Sequence, residues 1–283
     1  MTILVALAGV AIFLIIQGIP ALGADPSDLS GKPNLLAYTA PLVFGTLWAA
    51  LIAILLATPL ALGVALAVSH YAPTRLAVPL GYLVDLLAAV PSVIYGLWGI
   101  GFLGPRLVPV YEWLEQHLGW LPFFAGPAST TGRTILTAGI VLAIMILPII
   151  TAISREIFTQ TPRLNEEAAL ALGATRWEMI RLSVLPYARS GIVSAVMLGL
   201  GRAMGETMAV AMVLSASGVV TFNLISATNP STIAANIALS FADATGLTVN
   251  ALVATGLVLF VITFVVNFAA RAIVSRADRS VSR

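Results

Sequence analysis

Residues 134–154 read TILTAGIVLAIMILPIITAIS, a stretch that contains no Asp, Glu, Lys or Arg. Residues 33–74 and 244–270 lack the same four residue types. Of the 283 residues, 59% are hydrophobic and only 9% are charged, and the mean hydropathy is +1.02. Each stretch reaches or exceeds the roughly 20 apolar residues that a helix needs to cross the hydrocarbon core of a bilayer. The composition therefore predicts a membrane protein and excludes an ordinary soluble domain.

The apolar segments predict six helices that cross the membrane. They cover approximately residues 2–19, 42–69, 76–103, 134–154, 188–216 and 247–270. The first is followed by Ala21-Leu22-Gly23-Ala24, small residues of the kind found at signal-peptide cleavage sites. Because no basic leader precedes it, we expect a retained helix, with a signal sequence or the start of a truncated chain as alternatives. The expected fold is an all-α polytopic membrane protein with one transmembrane domain over residues 1–283.

Arginine is distributed unequally between the connections. If the spans alternate in direction, the turn 70–75, the segment 155–189 and the tail 271–283 lie on one side of the membrane. That side holds Arg75, Arg155, Arg163, Arg176, Arg181, Arg189, Arg271, Arg276, Arg279 and Arg283. The opposite connections, including outer loops at about 104–133 and 217–246, hold only Lys32, Arg106 and Arg133. The positive-inside rule therefore predicts that the arginine-rich side is cytoplasmic. Since topology accounts for these arginines, nucleic-acid binding is not expected.

Several chemistries are excluded by the residue types that the chain lacks. There is no cysteine, and the only histidines, His70 and His117, are not spaced as a metal-ligand pair. No phosphate-binding loop of the form G-x-x-x-x-G-K-S/T occurs, since the only lysine is Lys32. We therefore predict no metal site, no catalytic residue and no cofactor held by this chain, which is expected not to be an enzyme.

The segment 155–189 is an exception to the scarcity of charge. Thr161-Pro162 fits the start of a helix, with the hydroxyl at the N-cap and proline in the first turn. Gly173 can close that helix in the left-handed conformation, and Thr175 to Glu178 has the S/T-x-x-E pattern of a capping box. Leu185-Pro186 is expected to disrupt the second helix. The segment thus predicts two short helices joined at a sharp angle. From these features alone, a hairpin that packs on its own bundle remains an equal alternative to a docking site.

The same segment resembles the EAA loop of the permeases of ABC importers, whose pattern is E-A-A-x-x-x-G followed by L-P. The matching positions are Glu167, Ala168, Ala169, Gly173, Leu185 and Pro186, together with the flanking Glu166 and Ala174. Ser183 departs from the pattern, which has an apolar residue there. The resemblance implies a coupling helix that docks into a groove on a separate cytoplasmic ATPase subunit, and a fold like that of type I ABC importer permeases.

The fifth predicted span contains two charged residues, Arg202 and Glu206. An intramembrane charge costs roughly 2.5–3.5 kcal/mol on insertion scales, so these residues need a partner or a water-filled cavity. Their spacing of four predicts an ion pair on one helical face. Alternatively, Arg202 offers a planar fork of donors to a tetrahedral oxyanion, and Glu206 accepts a hydrogen bond from hydrogen phosphate but not from sulfate. Gly201 and Gly205 would permit close helix packing beside them.

Three further polar residues are candidates for the transport pathway. Thr207 directly follows the charged pair, and Asp85 lies in the third predicted span. Arg133 precedes the fourth span, where it would attract anions or anchor the helix end. For Asp85, a hydrogen-bonded structural role is an equal alternative.

The stretches GRAMGETMAV at 201–210 and PSVIYGLWG at 91–99 resemble the phosphate-specific ABC permeases of the PstC type. The resemblance covers roughly residues 40–275. It implies a phosphate importer in the bacterial inner membrane that works by alternating access. The implied partners are a PstA-type second permease subunit, two PstB-type ATPase subunits that bind ATP and Mg, and an extracytoplasmic PstS-type phosphate-binding protein. Inorganic phosphate is the implied cargo, and lipid surrounds the chain.

Two other functions remain open at this point. The EAA pattern does not encode cargo, so a permease for another oxyanion or a small solute fits it equally well. A secondary transporter driven by an ion gradient is a rival from another class, although no inverted pair of broken helices is evident in the sequence.

Overall fold

The structure is a computed structural model, and it describes residues 2–281, apart from the side chains of residues 2–4, 74 and 273–281. Of the arginines that define the charge bias, Arg276, Arg279 and Arg283 lie outside the described side chains. Over the described range the chain is helical, with no strand and one isolated bridge between Ala216 and Asn229. The all-α prediction is confirmed.

Twelve α-helices occur in the described range. They are α1 (Thr2–Gly18), α2 (Leu35–Leu66), α3 (Thr74–Ala88), α4 (Ser92–Trp98), α5 (Gly104–Leu118), α6 (Ile135–Thr159), α7 (Arg163–Ala171), α8 (Arg176–Met179), α9 (Leu185–Met204), α10 (Met208–Val213), α11 (Ile233–Ser240) and α12 (Leu247–Val281). Three π-helical turns, Ala67–Tyr71, Gly99–Leu103 and Ile180–Val184, extend α2, join α4 to α5 and join α8 to α9.

Six segments of the described chain are long and apolar enough to cross a membrane. They are Val5–Gly23, Leu35–Tyr71, Ser92–Leu118, Ile135–Thr159, Arg176–Met204 and Leu247–Ala272. The predicted number of spans is confirmed, and four of the six lie close to their predicted positions. The bounds of the third and fifth spans were wrong.

The third span begins later than predicted because the chain leaves helical geometry between Ala89 and Pro91. Thr74–Ala88 forms the separate helix α3, whereas α5, predicted as part of an outer loop, completes the span. Two charged side chains of α5 have partners within the same unit. Glu115 accepts a hydrogen bond from the Ala128 amide at 3.0 Å, and the Arg106 guanidinium lies 3.6 Å from the centre of the Phe102 ring.

The chain divides into two compact units. The first comprises Met1–Ile52, Ser92–Leu142 and Met204–Val266, and the second comprises Ala53–Pro91, Ala143–Ala203 and Asn267–Arg283. The prediction of one transmembrane domain over residues 1–283 stays a prediction.

In the first unit, the fully buried Asn229 organises the irregular chain between α10 and α11. Its side-chain oxygen accepts from the Ile135 amide at 3.0 Å. Its amide group donates to the carbonyl oxygens of Arg133, Ser215 and Ser226 at 3.1–3.3 Å. One side chain thus fixes the start of α6 against the end of this long connection.

In the second unit, α6 packs on the segment that leads into α9. Phe158, Ile180 and Val184 are fully buried in one apolar cluster with Ala65 and Ala188. This core holds the segment 163–184, which carries the candidate coupling residues.

Candidate functional site

The turn between α7 and α8 has the geometry of a Schellman motif. Gly173 has a φ of +87°, in the left-handed region that favours glycine. The Gly173 amide donates to the Leu170 carbonyl at 2.9 Å, and the Ala174 amide donates to the Ala169 carbonyl at 3.2 Å. The predicted helix stop at Gly173 is confirmed.

The predicted capping box at the start of α8 is also confirmed. The Glu178 amide donates to the Thr175 hydroxyl at 3.3 Å, and the Thr175 amide donates to the Glu178 carboxylate at 2.7 Å. Two amides that a helix start would leave without partners are therefore satisfied. Together, the Schellman turn at Gly173 and the capping box end α7 and begin α8 within a few residues.

One detail of this segment was predicted wrongly. Pro162, not Thr161, occupies the N-cap of α7, and the buried Thr161 hydroxyl makes no hydrogen bond to any part of the chain that the structure describes. The disruption expected at Leu185-Pro186 is a change of helix type and not an end of the helix. The π-helical turn Ile180–Val184 widens the helix just before Pro186, which accommodates the missing amide and the bulk of the ring. Helix therefore continues from Arg176 to Met204.

A cleft of about 570 Å³ lies between α7 and the segment that follows it. Ala168, Ala169, Gly173 and Ala174 line it. Ser183, which departs from the EAA pattern, donates a hydrogen bond to the Asn165 carbonyl at 3.1 Å and so ties the two walls together. The serine thus has a structural role at this position.

Large apolar side chains on α7 face outward. Leu172 is 90% exposed and Leu164 is 77% exposed. Glu167 is also exposed, whereas Glu166 is half-buried, with its carboxylate 3.7 Å from Nε2 of His70. The contact with His70, which the sequence did not indicate, links α7 to the end of the second span.

A groove of about 740 Å³ runs along α9 in the second unit. Its polar lining residues are Ser190, Ser194, Arg202, Asn267 and Arg271. Gly201 also lines it, and a Cβ added there would meet no atom within 4 Å. Arg202 was predicted as a pathway residue, but Asn267 was missed. The signal was available, because Asn267 is an amide side chain one helical turn before Arg271 in a largely apolar span.

Glu206 and Thr207 lie beyond the end of α9, since the helix stops at Met204 and α10 begins at Met208. The predicted arrangement of Arg202 and Glu206 on one turn of a continuous helix is therefore wrong. Glu206 is only 8% exposed, and its Oε1 accepts a hydrogen bond from the Ala209 amide at 3.2 Å. Gly205, which the sequence pattern predicted to lie on a helix-packing face, is in the turn that follows α9.

The remaining candidates occupy structural positions. Asp85 lies on α3, outside the third span, with its carboxylate 3.6 Å from the Arg155 guanidinium. Arg155 rests against Gly81, where a Cβ would collide with the guanidinium. Arg133 donates to the Leu214 carbonyl at 3.2 Å. These contacts favour the structural alternatives for Asp85 and Arg133.

Six candidate membrane spans, with the exposed helix α7 between the fourth and the fifth, are the architecture of a multi-pass membrane protein. The chain belongs to the family described as "Binding-protein-dependent transport system inner membrane component", whose model matches residues 57–279. A solved structure entitled "Inward facing conformations of the MetNI methionine ABC transporter" matches with a TM-score of 0.60 at 16% identity. The match covers 84% of this chain and 95% of the methionine-transporter chain. At this identity, the likeness concerns the fold alone.

Curated relatives are similar over most of the chain. The "Phosphate transport system permease protein PstC 2" of Mycobacterium tuberculosis is 48% identical, over 96% of this chain and 87% of that protein. The PstC of Mycobacterium leprae is 45% identical, over 93% of this chain and 86% of that protein. The PstC of Xylella fastidiosa strain Temecula1 is 44% identical, over 84% of this chain and 74% of that protein. The resemblance to phosphate permeases is confirmed.

Proposed function

We propose that this chain is a membrane-spanning permease subunit of an ATP-driven phosphate importer in the bacterial inner membrane. The observation that carries the proposal is identity of 44–48% to proteins named phosphate transport permeases, over 84–96% of this chain. The match includes the α7–α8 segment and the start of α10, where the candidate coupling and pathway residues lie.

The α7–α8 segment supports docking of a separate ATPase. Leu164 and Leu172 expose apolar surface on α7, and burying a leucine side chain typically contributes about 1.5–3 kcal/mol. The turn at Gly173 presents small residues, Ala168 and Ala174, beside these leucines, so another backbone can approach closely. The docked partner would be one of two PstB-type subunits, which would bind ATP and Mg; this chain has no phosphate-binding loop of its own.

The arginine bias supports a cytoplasmic position for this segment and for the C-terminal tail. A PstS-type binding protein would then deliver phosphate from the opposite side, and a PstA-type subunit would complete the pathway. Closure of the ATPase pair would displace α7–α8 and reorient the spans, giving alternating access.

Within the pathway, Arg202, Glu206 and Thr207 are proposed to contact phosphate. The guanidinium is suited to bidentate contact with a tetrahedral oxyanion. Oε1 of Glu206 already accepts a hydrogen bond from the Ala209 amide, so the other carboxylate oxygen is proposed to accept one from the hydroxyl of hydrogen phosphate. Sulfate, which carries no such proton at neutral pH, would find an unpaired carboxylate instead.

The test is ATP-dependent uptake of phosphate by the complete complex in vesicles. Glu206→Gln keeps an acceptor oxygen for the Ala209 amide but adds donors, and we expect it to reduce the preference for phosphate over sulfate. Unaltered selectivity would refute the role of Glu206. Absence of ATP-dependent phosphate uptake by the wild-type complex would refute the proposed function itself.

A further inference from the structure

The groove along α9 contains two guanidinium groups, and only Arg202 was expected there. Arg271 lines the same groove from α12, one helical turn after Asn267. Both arginines are exposed. The groove therefore contains a second cationic side chain, Arg271, to which the proposed function assigns no role.

Neither arginine forms an ion pair with a side chain that the structure describes in this unit. Over its described residues, the second unit's ion pairs join Arg155 to Asp85 and His70 to Glu166, and neither involves Arg202 or Arg271. A positively charged groove flanked by apolar surface favours an anion, because cations at membrane depth are costly unless they meet water or a partner.

The topology places the two arginines toward opposite sides of the membrane. Along α9 the groove lining runs from Ser190 to Arg202, twelve residues or about 18 Å at 1.5 Å per residue. Arg202 lies near the end of the fifth span, Arg176–Met204, and Arg271 directly follows the charge-free stretch 244–270 that contains the sixth. Consecutive spans cross in opposite directions, so these two span ends lie on opposite sides of the membrane.

We propose that Arg271, assisted by Asn267 and Ser190, forms a second oxyanion position in this groove, on the side where phosphate leaves. The position would take a tetrahedral phosphate group through the guanidinium fork, with amide and hydroxyl donors beside it. Phosphate released from Arg202 would be held there before it enters the cytoplasm. The inference rests on the proposed function. A lipid phosphate shares this chemistry, so the experiment separates the two sources.

The test uses the complete complex in vesicles that enclose ATP, with binding protein and radiolabelled phosphate outside. Unlabelled phosphate inside the vesicles should occupy the release-side position and inhibit uptake. Arg271→Gln should raise the internal phosphate concentration that gives half-inhibition by about tenfold, since a charge-assisted contact is lost. Arg271→Lys should fall between wild type and Arg271→Gln, because it keeps the charge but loses the fork.

Arg75→Gln is the matched control. Arg75 is an exposed arginine of the same unit that does not line the groove, and its loss should leave the half-inhibition concentration unchanged. Vesicles of neutral lipid alone are compared with vesicles that contain anionic lipid. An Arg271 effect in both supports free phosphate as the occupant, and an effect only with anionic lipid supports a phosphate site filled by lipid.

The proposal is overturned if wild-type uptake proceeds normally but internal phosphate does not inhibit it. It is equally overturned if Arg271→Gln and wild type have the same half-inhibition concentration in both kinds of vesicle. Either result leaves the proposed function intact, because uptake by the wild-type complex tests that separately.

Discussion

Substitution of Gly173 tests whether the conformation of the α7–α8 turn governs coupling. At a φ of +87°, an L-residue with a Cβ costs about 1–2 kcal/mol relative to glycine. A Cβ at this position would meet no atom within 4 Å, so the cost comes from the backbone and not from a clash. If the turn relaxes to avoid that cost, the docking geometry is depopulated by a factor of about 5–30.

The assay is the affinity of the purified ATPase subunit for vesicles that contain the permease. We expect Gly173→Ala to raise the Kd about 5–30-fold, Gly173→Asn to raise it less, and Gly173→Val to raise it most. Asparagine tolerates the left-handed region, whereas β-branched valine does not. Asparagine is larger than alanine, so direct steric conflict with the ATPase predicts the reverse order for these two. Weaker binding of the Asn variant than of the Ala variant would refute the conformational explanation.

Three further substitutions test individual contacts. Thr175→Ala should lower stability by about 1 kcal/mol in denaturation of the purified protein, because the capping box is lost; Thr175→Ser should restore most of it, and equal values for the two would contradict the cap. Asn229→Ala should reduce the yield of folded protein sharply, since each buried group left without a partner costs about 1–3 kcal/mol, and a normal yield would show that water replaces the side chain. Asp85→Asn should cost under about 1 kcal/mol and spare phosphate uptake, because Asp85 is half-exposed in its pair with Arg155; abolished uptake would return Asp85 to the pathway.

The parts of the fold that follow from local chemistry could be predicted from the sequence. Apolar segments indicated the six spans, three of them within charge-free stretches, because lipid excludes unpaired charges over that length. Gly173 and Thr175 specified the coupling turn, since a left-handed glycine and a capping box each need only neighbouring residues.

The parts that depend on the wider structure could not be predicted. Residues 104–118 were assigned to an outer loop, but they form helix α5, in which Glu115 accepts a hydrogen bond from the Ala128 amide, thirteen residues away. Pro186 indicated a disruption but not its form, a π-helical turn through which the helix continues. In the candidate site, the spacing of Arg202 and Glu206 indicated one helical face because nothing local showed that helix α9 would end at Met204.

The helical segment from Arg176 to Met204, which includes one π-helical turn, gives the fifth span the form of a lever. Trp177 and Arg202 are twenty-five residues apart on it, about 37 Å at 1.5 Å per residue. A tilt of about 10° pivoting near Trp177 would sweep the guanidinium through about 6 Å, enough to take it out of contact with a bound anion. The π-helical turn at Ile180–Val184 is the place where such a lever would bend instead of transmitting motion. The stiffness of this π-helical turn would therefore determine how much of a movement at Trp177, imposed by the proposed ATPase, reaches Arg202.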